Sequence, residues 1–102
     1  MNTIYKTKWE DKAEDDLVQL PSETSLKIYN RVESYLAQSP KELGKALVGK
    51  YIGLYRYRYG DYRIIYEIDK TNKILIINRI GHRSDVYSSW KNSMSVNSAL
   101  QT

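Results

Sequence analysis

The chain of 102 residues has no cysteine and no phenylalanine, only two prolines and a single histidine. Without thiols it can form neither a stapling disulfide nor a thiolate zinc site, and such a composition suits a reducing compartment. One histidine, His82, is too little for a protein-built transition-metal centre, so no metal is expected; separately, no organic cofactor is expected. No run of about eighteen apolar residues is present to cross a bilayer, and Met1 to Glu10 lacks the apolar stretch of a secretory signal. The expectation is a cytoplasmic protein without membrane partners. Apolar residues make up 41% of the chain, enough for one domain and too little for two. A domain this small buries only about two-thirds of the surface its unfolded chain exposes.

Charge is present but unevenly spread. Residues 1 to 42 hold six Lys/Arg and eight Asp/Glu, whereas residues 43 to 102 hold ten and four, so the second stretch carries a net charge of +6. Seven of the ten tyrosines, Tyr51, Tyr55, Tyr57, Tyr59, Tyr62, Tyr66 and Tyr87, fall in that same basic stretch. Cations neutralise phosphates and ring faces accept bases, so the combination fits a single-stranded polyanion. The same pattern also describes a sheet with tyrosines filling its inner face and arginines solvated on its outer face.

Thr3 to Lys8 reads as a short first strand. From Trp9, the apolar positions Ala13, Leu17 and Leu20 recur at helical spacing, with acidic residues suited to a helix N-terminal half between them. Pro21 stops that helix and suits the first turn of the next. Ile28, Val32, Tyr35 and Leu36 then give Ser22 to Ala37 one apolar face, ending before Ser39-Pro40. The expected result is an acidic helical hairpin. Lys41 to Gly53, with Gly44, Gly49 and Gly53, reads as a connector; its Lys45 and Lys50 are candidate phosphate contacts or simply solvated lysines.

From Leu54 the period changes to two. Tyr55, Tyr57 and Tyr59 alternate with Arg56 and Arg58, Gly60-Asp61 supplies a two-residue turn, and Tyr62 to Ile68 returns. With those turn residues Tyr59 pairs with Tyr62, Arg58 with Arg63, Tyr57 with Ile64 and Tyr55 with Tyr66. Two arginines directly across strands repel by about a few tenths of a kcal/mol, which folding does not ask for. An anionic ligand does, because converging guanidinium forks hold phosphate oxygens; the other reading is that both arginines splay into water or are neutralised by Asp61 or Glu67.

Lys73 to His82, rich in Ile74, Leu75, Ile76, Ile77 and Ile80, is apolar enough for a central strand. An odd number of residues in the preceding turn would put Arg63 and Arg79 on one face, with Arg83 extending it past Gly81. Ser88 to Lys91 reads as a short helix, and the uncharged Ser- and Asn-rich stretch 92–102 as a mobile tail beyond a single domain of residues 1–91.

The run Tyr55-Arg56-Tyr57-Arg58-Tyr59-Gly60-Asp61-Tyr62-Arg63-Ile64-Ile65-Tyr66, followed by Gly81-His82-Arg83-Ser84-Asp85-Val86-Tyr87, resembles the RelE branch of the RelE/ParE toxin superfamily. The helical pair and the connector fit as well, so the likeness covers roughly residues 3 to 91. The resemblance implies an α+β fold, a helical hairpin packed on a mainly antiparallel twisted sheet. It also implies the toxin of a type II toxin–antitoxin pair, cutting messenger RNA on the ribosome and silenced by a RelB-like antitoxin. The complex with that antitoxin is expected to be oligomeric and is a candidate to bind its own operator.

By the same resemblance Arg63 and Arg83 match the arginines that hold the scissile phosphate, and Tyr87 matches a tyrosine that stacks on or orients the substrate. Arg56 and Arg58 stand where well-known RelE proteins carry lysines, one of them suspected of proton transfer. An arginine stays protonated, so these two can offer only charge and hydrogen bonds. Metal-free RNA cleavage most simply means attack of a 2′-hydroxyl on the adjacent phosphate, with two proton transfers and an oxyanion to neutralise. His82, with an ordinary pKa of about 6.5, and Tyr87 are the candidate proton carriers. His82 alternates with Arg83 along an extended chain and so also fits a structural position on the other side, and Tyr87 also fits core packing. Two further readings stay open: a ParE-type poison of DNA gyrase, which works by protein contact without nuclease activity, and an inactive antitoxin-binding partner. The set Arg63, Arg83 and Tyr87 argues against the first of these.

Overall fold

In the computed structural model, which describes residues 4–82, helical spacing in the first half and alternation in the second resolve into helices laid on one face of a sheet. The chain runs β1 (Lys6–Trp9), α1 (Asp11–Val18), α2 (Ser22–Ser34), a 3₁₀ turn at Leu36–Gln38, α3 (Pro40–Leu43), β2 (Lys45–Ala46), a second 3₁₀ turn at Gly49–Tyr51, β3 (Tyr55–Tyr59), β4 (Tyr62–Asp69) and β5 (Ile74–His82). The five strands lie in the order β1-β5-β4-β3-β2; β1 is parallel to β5 and every other pair is antiparallel. This is the expected α+β arrangement.

Local chemistry explains most boundaries. Asp11 and Glu14 put negative charge in the first turn of α1, where exposed N–H groups favour it. Pro21 caps α2 and Pro40 opens α3, each placing the missing N–H where no helical partner exists. Gly60, at φ 58°, takes the left-handed backbone of the β3–β4 turn. Three boundaries depart from expectation. The first strand lies further along the chain, at Lys6–Trp9, because Tyr5 bonds Ala37 instead of β5. The second helix ends at Ser34, where Tyr35 leaves helical geometry with φ −126°. The connector contains α3 and β2, elements too short to carry a periodic pattern. The short helix at Ser88 to Lys91 and the tail 92–102 lie outside the described residues.

The core is the helix-facing side of the sheet. Ala13, Ile28, Val32 and Leu36 meet Ile64, Tyr66, Leu75, Ile77 and Ile80 in one buried cluster. Each large side chain there contributes on the order of 1.5–3 kcal/mol. Tyr66 adds a buried hydroxyl that donates to the Pro40 carbonyl at 2.6 Å and a ring stacked on Tyr55 at 5.6 Å. Burial, with lesser contributions from Tyr55 and Tyr57, pushes the pKa of that hydroxyl well above the usual phenol range. Gly44 is the backbone's answer to this hydroxyl: a Cβ there would overlap it. Glu33 of α2 ties down β1, its Oε2 accepting from the Thr7 hydroxyl at 2.6 Å and from Trp9 Nε1 at 2.8 Å. Trp9 stacks on Tyr29 of the same helix at 5.5 Å.

Candidate nucleic-acid interface

The hairpin forms in the expected register, with Tyr59 opposite Tyr62, Arg58 opposite Arg63, Tyr57 opposite Ile64 and Tyr55 opposite Tyr66. Directly paired residues share a face, as do residues two apart. One row therefore runs Lys45, Arg56, Ile65, Arg79, and the next runs Arg58, Arg63, Gly81, all on the side of the sheet away from the helices. Arg63 and Arg79 do share a face, but not by the route expected. The β4–β5 turn has an even number of residues, 70–73, and Asn78 bulges out of β5 between the Tyr66–Ile77 and Ile65–Arg79 pairs. The bulge, not the turn, restores the face.

The tyrosines go the other way. Tyr55, Tyr57, Tyr59 and Tyr62 pack against the core on the helix side. Arg31 of α2 donates to the Tyr57 hydroxyl at 3.1 Å, a bond that raises the Arg31 pKa, and lies over the rings of Tyr35 and Tyr59 at 5.1 and 5.3 Å. Alternation in the sequence thus separates cations from rings, and these four tyrosines are core material rather than a stacking platform beside the arginines.

Within the basic face Arg63 is only 9% exposed, and its Nη1 donates to the carbonyls of Gly60 at 3.2 Å and Tyr62 at 3.1 Å. These bonds hold the guanidinium along the strand end instead of letting it swing away from Arg58. Arg58 is exposed, and Arg56 is half-buried with its Nε buried and without a hydrogen-bond partner. A buried charged donor left unmet costs about 1–3 kcal/mol or more, and Lys45 directly opposite adds like-charge repulsion. A bound anion would relieve both.

The other candidates stand apart. Lys50, on the second 3₁₀ turn, rests its ammonium over the Tyr51 ring at 5.8 Å and lies outside the sheet. His82 pairs with Tyr62, edge-on at 6.0 Å, and so occupies the face opposite Arg63; the catalytic placement considered for it does not join the arginine cluster. Arg83 and Tyr87 lie outside the described residues. Asp16 is the residue that sequence reasoning missed. Its carboxylate accepts from Arg79 Nε at 2.8 Å, Arg79 Nη2 at 3.0 Å and the Ile80 backbone N–H at 2.8 Å. A signal existed: Asp16 sits one turn after Ala13 and beside Leu17, a carboxylate within an apolar stripe. Among the described residues no group of three or more His, Asp or Glu side chains could hold a metal ion, and no helix is long and apolar enough to cross a membrane.

Fold and site define a small α+β domain whose sheet is apolar on its helix side and cationic on the other. The family model described as the ParE toxin of the type II toxin–antitoxin system parDE matches residues 7–87. The chain is 30% identical over 83 residues to the toxin RelG of Mycobacterium tuberculosis, covering 81% of this chain and 95% of that protein. It is 36% identical over 72 residues to the toxin RelE of the same organism, covering 71% and 74%. The toxin–antitoxin complex RelBE2 from M. tuberculosis superposes with a TM-score of 0.77 at 28% identity, covering 79% of this chain and all of that one. A free-state variant of the E. coli toxin RelE shares the fold with a TM-score of 0.67 at 17% identity, covering 90% and 99%. The chain belongs to the RelE/ParE superfamily of toxins of type II toxin–antitoxin systems.

Proposed function

We propose that this toxin is an endoribonuclease of the RelE type, cutting messenger RNA on the ribosome in the cytoplasm. The observation that carries this reading is the collection of Lys45, Arg56, Arg58 and Arg63 on one sheet face, with a buried Arg56 Nε that has no partner. Such a face holds phosphates. In the proposed reaction a 2′-hydroxyl attacks its neighbouring phosphate in line, leaving a 2′,3′-cyclic phosphate and a free 5′-hydroxyl. Arg63, already oriented by two carbonyls, neutralises the pentacovalent oxyanion together with Arg83. Arg56, Arg58 and Lys45 bind flanking phosphates, and their field favours passage of the 2′ proton to solvent water. With His82 across the sheet, Tyr87 is the residue assigned to protonate the 5′ leaving oxygen.

The partner that silences the toxin is a cognate RelB-like antitoxin, a reading supported by solved relatives whose structures hold toxin and antitoxin together. An acidic or amphipathic antitoxin segment would cover the basic face.

The test is a cell-free translation reaction with a defined message, mapping new 5′ ends, with Arg63→Ala and Arg83→Ala in parallel. Cuts confined to translated message and lost in both variants support a ribosome-dependent nuclease. Cuts on naked RNA as well would make it a free ribonuclease. An intact message beside folded protein would overturn the reading in favour of the gyrase poison, which the description of the matching family model keeps in view, or of an inactive antitoxin-binding partner.

A further inference from the structure

β1 ends at Trp9, opposite Ile77, and its last link to β5 is the Glu10 N–H bonded to the Ile77 carbonyl. Among the described residues, β5 therefore has no strand on that side from Asn78 onward. α1 takes the place, and Asp16 presents its carboxylate to the Ile80 N–H as a neighbouring strand would present a carbonyl. The same carboxylate grips Arg79 through Nε and Nη2, with side-chain exposures of only 16% for Asp16 and 10% for Arg79. Immediately before these two residues lies the bulge at Asn78, whose Nδ2 donates to Glu67 Oε2 at 2.9 Å across the β4–β5 ladder.

The bulge decides which side of β5 meets Arg63. Without it the turn 70–73 would bring Ile80 opposite Arg63 and transpose every residue from Asn78 onward to the other face. A bulge is a weak point of a ladder, because its extra residue is unpaired. Here both flanks are pinned, by Glu67 on one side and Asp16 on the other.

We infer that Asp16 is a positioning residue for the basic face: by holding Arg79 and the Ile80 amide on the open edge of β5, it keeps the bulge in place and Gly81 opposite Arg63. The functional half of this inference rests on the nuclease reading above; the structural half does not. Asp16 sits beside the edge of β5 with its carboxylate taken up by Arg79 and the Ile80 N–H, so it acts only through the strand.

The test uses the full chain carrying Asp16→Ala and, as a milder change, Asp16→Asn, which keeps an acceptor for the Ile80 N–H but loses the carboxylate charge. All measurements are made where denaturation curves show each protein fully folded. Cross-strand nuclear Overhauser contacts between Arg63 and Gly81, and between Ile65 and Arg79, are expected to vanish in Asp16→Ala while the Tyr66–Ile77 contact persists. In the translation assay kcat is expected to fall by about tenfold to a hundredfold with KM little changed, the signature of misplaced reacting groups. Asp16→Asn should fall between wild type and Asp16→Ala in both readouts. If Asp16→Ala does not fold, the same contacts and kcat are read on Asp16→Asn. A folded variant with intact Arg63–Gly81 contacts and unchanged kcat overturns the inference. Loss of those contacts in a protein whose wild type cuts no RNA sustains the role of Asp16 and overturns the nuclease reading instead.

Discussion

Replacing Gly44 with alanine should destabilise the protein, and replacing Tyr66 with phenylalanine in the same chain should return part of the loss. Gly44 has φ −100° and ψ −174°, extended backbone open to any residue, so the penalty cannot come from conformation. Alanine there would even gain about 0.4–1 kcal/mol by narrowing the unfolded ensemble. The obstacle is space: a Cβ would overlap the Tyr66 hydroxyl and press on the Tyr66 ring and the Arg56 carbonyl. The hydroxyl cannot retreat without abandoning its bond to Pro40 O, so Gly44→Ala should cost about 2–3 kcal/mol net, near the upper end for overpacking. Tyr66→Phe alone should cost about 1–1.5 kcal/mol, because the Pro40 carbonyl keeps a weak 3.4 Å bond from the Gly44 N–H. In the double variant the Cβ enters the volume the oxygen left, and the combined cost should be at least 1 kcal/mol below the sum. Urea unfolding of the four proteins measures the cycle. Additivity within about 0.5 kcal/mol would show that the two sites do not press on each other and refute the packing argument.

Glu33→Ala should cost about 2–3 kcal/mol, since the Thr7 hydroxyl and Trp9 Nε1 lose a charged acceptor together, and Glu33→Gln should cost less; thermal unfolding checks the order. Lys73 holds φ 58° without being glycine, so Lys73→Gly should stabilise by about 0.5 kcal/mol, the relief of about 1 kcal/mol being partly offset by losing its ammonium from the Tyr5 ring at 5.1 Å. Asp69 has its pKa lowered chiefly by the Asn72 side-chain bond, then by the Asn72 backbone N–H. Its contribution is present above the unfolded value near 3.9 and lost as pH falls through the lower folded value. The stability gap between wild type and Asn72→Ala should therefore shrink during acid titration. Arg58→Ala should leave stability unchanged or slightly raised, having removed a like-charged neighbour of Arg63, yet flatten the salt dependence of RNA binding by about one unit of slope.

The hairpin of β3 and β4 was legible because two signals agreed, a strict period of two and a Gly-Asp turn, and its register followed from counting. The helical pair was legible from Ala13, Leu17, Ile28 and Val32. α3 and β2 were not, because elements of two to four residues follow from what packs on them, here Tyr66 against Pro40 and Gly44. The bulge at Asn78 escaped for a related reason: a single extra residue shifts a register without altering composition. Alternation set arginines and tyrosines on opposite faces, and of the two readings of their clustering the structure bears out the one with tyrosines on the inner face. Asp16 looked like one more acidic residue of an amphipathic helix until the open edge of β5 was visible beside it.

The parallel pairing of Lys6–Trp9 with Ile74–Ile77 joins segments nearly seventy residues apart in the chain. Loop closure over such a distance comes at an entropic cost and is slow. On a translating ribosome the nascent chain can form its helices and the β3–β4 hairpin early, but the middle of the sheet stays open until β5 has cleared the exit tunnel. β5, the last strand among the described residues, completes the row opposite Arg63 and receives both β1 and Asp16. The basic face is thus completed only once β5 is in place, and a chain that has not yet docked β5 lacks the row opposite Arg63.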